Sequence, residues 1–204
     1  MGGDRGVGRT GSARSGEILA AALDLFTRLG YEATTMADIG TAVGVRGPSL
    51  YRHVASKQDI LAQIMTRTME ELLAAHRSAL AGLAGTAQDD PVERLRRATE
   101  AHVRYHARHR REAFVGNREI RSLVAPGRAR VLALRADYER CFRDLIDTGI
   151  QAGRFDVTSA QLASYAILDL GMGVAVWFRE ETSPDEDAVV WQYGQFALRL
   201  VGAH

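Results

Sequence analysis

Apolar residues along this chain recur at helical rather than strand spacing. From Ser15 onward Ile18, Ala22, Leu25 and Leu29 share one face, with Leu19 and Phe26 beside it, until Gly30 offers the left-handed backbone that ends a helix. A shorter stripe of Met36, Ile39 and Val43 closes on a second glycine, Gly44, and Leu50 with Val54 forms the next inward pair. No segment alternates apolar and polar residues as a half-buried strand would, and the remaining breaks, at residues 82–91, 124–127, 153–157 and 181–184, are short. The pattern predicts an all-α chain of about nine helices, with Pro91 and Pro126 in first turns and Thr158 or Ser159 capping the helix after Gly153. Residues 1–13 are rich in Gly and Arg without periodicity and read as a disordered basic arm. The expected organisation is that arm, a three-helix unit over 14–57 and a six-helix bundle over 58–204.

Composition narrows the class. Of 204 residues 46% are hydrophobic and 25% charged, a globular balance with enough apolar material for a sizeable core. The single cysteine, Cys141, excludes an intramolecular disulfide and a multi-cysteine zinc site within one chain. The start, MGGDRGVGRTGSAR, has no apolar leader and no run of eighteen apolar residues follows, so a cytoplasmic chain without membrane attachment is expected. Net charge is only +1, so any affinity for nucleic acid must come from a local face rather than the global balance. Of the 26 basic residues only Lys57 is a lysine.

Residues 34–60 concentrate the chemistry. Thr35 suits the N-cap of the Met36 stripe, Gly44 permits a sharp turn, Val45 plugs the angle between two helices, and Pro48 sits in a first turn that needs no amide donor. What remains outward is Arg46, Gly47, Pro48, Ser49, Tyr51, Arg52 and His53, the surface that a helix-turn-helix turns to a DNA major groove. Residues 46–49 would lie nearest the base edges, the small Gly47 and Pro48 permitting close approach. Arg46 or Arg52 suits a bidentate guanine contact, worth about 1–3 kcal/mol of discrimination. Tyr51, His53 and Lys57 would point to phosphates, which set orientation and salt dependence.

With Gly30-Tyr31, Thr35, Ile39, Gly44-Val45, Pro48, Leu50-Tyr51, His53-Val54, Lys57 and Ile60 at these spacings, the segment resembles the TetR family of bacterial repressors. The resemblance implies that Thr35 caps the second helix and contacts phosphate, that positions 46–49 and 52 face bases, and that Tyr51, His53 and Lys57 clamp the backbone. The lone lysine stands where the family places a phosphate-binding lysine at the head of the fourth helix. Two departures, Arg46 in place of the usual Ser or Thr and Ala37 without a polar side chain, concentrate sequence readout on the third helix.

For the rest of the chain the resemblance implies a helical bundle with an effector cavity and a two-fold interface built from the last two helices. Residues Ala163, Ile167, Leu170, Val174 and Trp177 form one stripe, widened by Leu162, Ala166, Met172 and Phe178. Val189, Tyr193, Phe196 and Leu200 form another, so both helices are apolar over more of their circumference than a monomer requires. A homodimer is the expectation. Candidate effector contacts are the polar or adaptable residues on inner faces. On the earlier helices these are Met65, Met69, His76, His102, His106, Phe114 and Asn117; later ones are Tyr138, Phe142, Tyr165, Asp169 and Met172. The run VAVWFRE before an acidic, Pro-containing turn resembles repressors that sense acyl-CoA or other lipid-derived molecules, although residues 171–177 offer no Arg for CoA phosphates. His102 and His106 are four apart, a spacing that suits a metal, but Arg104, Arg108, Arg110 and Arg111 among them favour a solvated basic face.

No Gly-rich phosphate loop, nucleophile elbow or metal-binding helix motif occurs, and Cys141 sits mid-helix as a small hydrophobe would. The reading is a ligand-responsive repressor that binds a palindromic operator as a dimer, needs no metal or cofactor, and answers to a small hydrophobic or amphipathic effector. The alternative is a small-molecule-binding helical protein or an enzyme that does not act on DNA.

Overall fold

In the computed structural model of the protein residues 7–45, 47–181 and 184–204 are described, the side chains or exposure of residues 7–12, 47 and 86 excepted. Among them the chain forms nine α-helices: α1 (Val7–Leu29), α2 (Met36–Ala42), α3 (Gly47–Leu50), α4 (Lys57–Ala81), α5 (Pro91–Arg108), α6 (Arg110–Glu119), α7 (Gly127–Gln151), α8 (Ala160–Trp177) and α9 (Glu186–Leu200). Two 3₁₀ turns, Gly85–Gln88 and Ile120–Ser122, complete the described elements, and none of them is a strand.

The all-α class and the sequence breaks agree with the expectation; three details do not. Residues 7–13 belong to α1 rather than to an arm. No proline separates them from the packed stripe, and a helix already nucleated extends at the cost of one residue per added hydrogen bond. One turn further on, Arg14 pairs with Glu17 at 2.5 Å. Residues 1–6 of the expected arm lie outside the described residues. Pro126 stands one place before α7, where its carbonyl accepts from Arg130 N at 3.2 Å. A break absent from the sequence pattern falls at His109, a single residue between α5 and α6.

The chain divides into two compact units, residues 1–68 with 114–131, and residues 69–113 with 132–204. The boundary expected at 57/58 therefore does not coincide with a boundary between compact units: the first unit takes the start of α4 and gathers a second segment from far along the chain. Its core is built on Ile18, Ala22, Leu25 and Phe26 of α1, four residues at 3.6-residue periodicity, all buried. Ile39, Leu50, Val54, Ile60, Leu61, Ile64 and Met65 close over them, and Val115, Leu123 and Val131 join from the second segment.

In the second unit α5 packs against both α8 and α9. It starts where Pro91 follows the N-cap Asp90, whose carboxylate accepts from Val92 N at 3.2 Å. Leu95, Ala98 and Tyr105 join Phe142, Leu145 and Ile146 of α7 and Ala163 and Ile167 of α8 in the main core, while Val103, Val174, Phe178, Val189 and Val190 make a smaller one. Arg104 and Arg108 hold Glu186 at the head of α9, each at 2.7 Å. These hydrogen bonds, that from Arg108 foremost, keep the Glu186 carboxyl below its usual range.

Candidate DNA interface and effector core

The first helix of the motif is fixed by a reciprocal cap. Thr35 Oγ1 accepts from Asp38 N at 3.1 Å, and the Asp38 carboxylate accepts from Thr35 N at 2.9 Å and from its hydroxyl at 2.7 Å. The cap expected at Thr35 is present, but its N–H and O–H are both engaged by Asp38, a partner the sequence reading overlooked although the T-x-x-D spacing announces it. After α2 the backbone turns on Gly44 at φ +66°, and Val45 N returns to Gly40 O at 2.9 Å. Gly40 itself is a close-approach position: a Cβ there would fall 2.9 Å from Val45 O. A glycine inside a helical stripe is the available signal for such a contact.

The second helix of the motif is short. Only Gly47–Leu50 is α-helical, and residues 51–53 continue as a turn in which His53 N and Val54 N both reach Leu50 O, at 3.0 and 3.2 Å. Leu50 and Val54 are buried and anchor it inward as the pattern required. Pro48, Tyr51 and Arg52 are exposed, Ser49 and His53 half-buried. The Arg52 guanidinium donates to Ser49 Oγ at 2.9 Å, so it lies back along the turn. Arg46 lies outside the described residues.

Lys57 departs from the expectation most. Its Nζ donates to the carbonyls of Tyr31, Glu32 and Thr34 at 2.8, 3.2 and 2.8 Å and sits 4.3 Å from the centre of the Tyr31 ring. All three ammonium hydrogens close the loop between α1 and α2, leaving none for a phosphate. Beside it Gln58 donates to Tyr31 Oη and to Ser122 O, both at 2.7 Å, and accepts from Val124 N at 3.1 Å. On α1, Arg14 donates to Val43 O at the end of α2 at 3.0 Å. Gln58 and Arg14 were not foreseen, because their partners lie far along the chain and no local pattern marks them.

The candidate effector residues separate by burial. His76, His102, His106, Tyr138 and Phe142 converge in the interior of the second unit, with Met69 in the same core; Met65 packs in the core of the first. Phe114, Asn117, Tyr165 and Asp169 are exposed and Met172 half-buried. His102 and His106 are therefore not part of a solvated basic face: they turn inward from α5, while Arg104 and Arg108 turn to Glu186. No cluster of three or more His, Cys, Asp or Glu suited to a metal occurs among the described residues.

The expected dimer stripes need a similar revision. Ala163, Ile167, Val174 and Val189 are buried within their own subunit and have no free surface to offer a partner. Leu170, Trp177 and Phe196 remain exposed, and Tyr193 and Leu200 are half-buried. The outer arc of α8 also carries Leu162 and Val176, 68% and 76% exposed, and that of α9 Trp191 at 55%.

Residues 18–64 match the family described as bacterial regulatory proteins, tetR family, and residues 88–201 match the tetracyclin repressor-like, C-terminal domain. The chain is 29% identical over 190 residues to the HTH-type transcriptional repressor KstR2 of Rhodococcus jostii, covering 92% of this chain and 90% of the relative. It is also 29% identical to the HTH-type transcriptional activator FasR of Mycolicibacterium smegmatis, covering 90% and 81%. Among solved structures, a bacterial regulatory protein of the tetR family from Rhodococcus RHA1 superposes with a TM-score of 0.84 at 31% identity, covering 93% of this chain and 97% of that one. The chain is thus a DNA-binding transcriptional regulator and not an enzyme, and it belongs to the TetR family.

Proposed function

We propose that the protein is a homodimeric repressor that grips a palindromic operator with residues 46–53 of each subunit and releases it when a small apolar or amphipathic molecule enters the core of the second unit. The observation that carries this reading is the exposed set Pro48, Tyr51 and Arg52, projected from the buried base of Leu50 and Val54. Two such heads fit successive major grooves only when held about 34–36 Å apart, or a multiple of that. An effector acts by favouring a state with a different separation, and must bind that state better than the other. Pro48 and Ser49 are read as lying nearest the bases with Arg46 and Gly47, Arg52 as a guanine reader, and Thr35, Tyr51 and His53 as phosphate neighbours. The repressor KstR2 supports negative control, and the activator FasR marks the sign as the point to test.

In vitro selection of bound DNA followed by transcription from the recovered site tests the reading. Enrichment of a palindrome and lower transcription with the protein bound are expected. No enriched site would sink it, and raised transcription would reassign it as an activator. Arg52→Ala is expected to relax preference at about one base position per half-site, a discrimination of about 1–3 kcal/mol.

The exposed arcs of α8 and α9 support the dimer. Helix α8 is long and apolar enough to cross a membrane by length and composition, but Asp169 lies exposed at its middle, where lipid would penalise it and a partner's polar group would not. Facing a second α8–α9 pair covers the stripe and keeps the protein in the cytoplasm. Val176→Asp changes a side chain that is 76% exposed in one subunit, so the fold is expected to persist while sedimentation velocity reports a monomer. Operator affinity would fall with it, since one head reads half a site. A variant that stays dimeric places the interface elsewhere.

A further inference from the structure

The interior of the second unit holds three imidazoles where apolar side chains are the rule. His76 is 5%, His102 3% and His106 4% exposed. The rings form a chain through the aromatic pair of α7, with centroids 5.3 Å apart for His76 and Phe142, 5.8 Å for Phe142 and His102, and 4.5 Å for His102 and His106. His102 is fully met. Its Nε2 lies 3.0 Å from Leu168 O, which only accepts, so Nε2 carries the proton. Nδ1 is then the acceptor, and the Tyr138 hydroxyl donates to it at 3.0 Å. Gly171 makes room for the ring, since a Cβ there would fall 2.3 Å from its Cδ2.

His76 and His106 differ. The Nδ1 of each is buried without a hydrogen-bond partner, and these two are the only such side-chain atoms among the described residues. Burial holds both rings neutral, pushing His76 down to about 4 and His106 to about 2. Each therefore presents one N–H and one lone pair. Unmet buried groups are costly and rare in native proteins, and a pair of them in one aromatic cluster calls for a missing partner.

We propose that His76 and His106 are the hydrogen-bonding anchors of the effector site, and that the effector is an apolar molecule carrying an uncharged oxygen, a ketone or a hydroxyl, rather than a carboxylate. The proposal rests on the reading of this unit as the effector core. Met69, Tyr138 and Phe142 suit an apolar body. A carbonyl accepts from an imidazole N–H and a hydroxyl donates to its lone pair, whereas an anion would be desolvated among neutral rings, with Arg94 and Arg77 acting on His76 but no cationic side chain of Arg or Lys acting on His106.

The test follows histidine side-chain nitrogen resonances of the full-length protein without DNA. Acetophenone and 1-phenylethanol serve as oxygenated probes, ethylbenzene as their hydrocarbon counterpart and benzoate as the anion. The oxygenated probes are expected to move His76 and His106 while His102, already paired, stays. His76→Phe and His106→Phe, checked for fold by circular dichroism, are each expected to weaken acetophenone binding about three- to tenfold, the loss of one net hydrogen bond. Unmoved His76 and His106 resonances with both oxygenated probes, or an equal response to ethylbenzene or benzoate, would overturn the assignment. Probes that move the rings yet leave operator affinity unchanged would count against effector release while leaving the anchors in place.

Discussion

Acidification from pH 7 to pH 5 is expected to destabilise the protein steeply. Burial lowers His76 and His102 to about 4 and His106 to about 2, in each case as the largest cause, with Arg94 and Arg77 adding to the effect at His76, and His102 and His109 at His106. In the unfolded chain all three return to about 6.5. Below that value the unfolded state binds protons that the folded state refuses, so stability is fully present above about 6.5 and falls as the pH drops towards about 4. Each ring contributes about 2 kcal/mol over this interval, on the order of 5 kcal/mol for the three, against a typical total of about 5–15. Glu186, held low by Arg108 and Arg104, adds its own loss mainly below its ordinary value of 4.5, beneath the range from pH 7 to pH 5. Urea midpoints at pH 7, 6 and 5 measure the slope. His76→Phe, which keeps the ring contacts with Phe142 and Tyr138, is expected to remove about a third of it. A flat profile over this range would mean that the rings are charged, or solvated, in the folded state.

What the sequence could and could not disclose follows the range of the interactions involved. The all-α class, the Thr35 and Ser159 caps, the turn at Gly44 and the inward pair Leu50 and Val54 were legible, because each rests on residues within one or two turns of each other. The inner and outer arcs of α8 were not. A helix apolar over most of its circumference has no periodic signal to tell its own core from a partner, and the stripe through Ala163, Ile167 and Val174 proved to be the inner one. The same ambiguity held for His102 and His106, whose arginine neighbours suggested solvent until Glu186, some eighty residues on, drew Arg104 and Arg108 away. The recruitment of residues 114–131 into the first unit, tied by Gln58 to Ser122 and Val124, likewise depends on a pairing no local pattern encodes.

Lys57→Ala is expected to weaken operator binding on every sequence while leaving its dependence on salt unchanged. The ammonium joins three carbonyls, those of Tyr31, Glu32 and Thr34, that belong to the loop leading into the Thr35 cap. Removing it frees that loop, loosens the cap and with it the placement of α2 and α3. Charged hydrogen bonds of this kind contribute about 1.5–3 kcal/mol each, and since the freed carbonyls can turn to water a net loss of about 2 kcal/mol in the stability of this unit is expected. A phosphate contact would behave otherwise: its loss lowers the slope of log K against log salt by about 0.9. Equal slopes for wild type and variant therefore assign Lys57 to positioning, and a slope reduced by one counterion restores it to the DNA backbone. Lys57→Arg separates the two roles further. A guanidinium can still meet a phosphate, but its donors lie in one plane and cannot converge on three carbonyls around a single nitrogen, so the arginine variant is expected to share the stability loss of the alanine variant. That geometry also gives a physical reason why a chain that otherwise uses only arginine keeps a lysine at this one position.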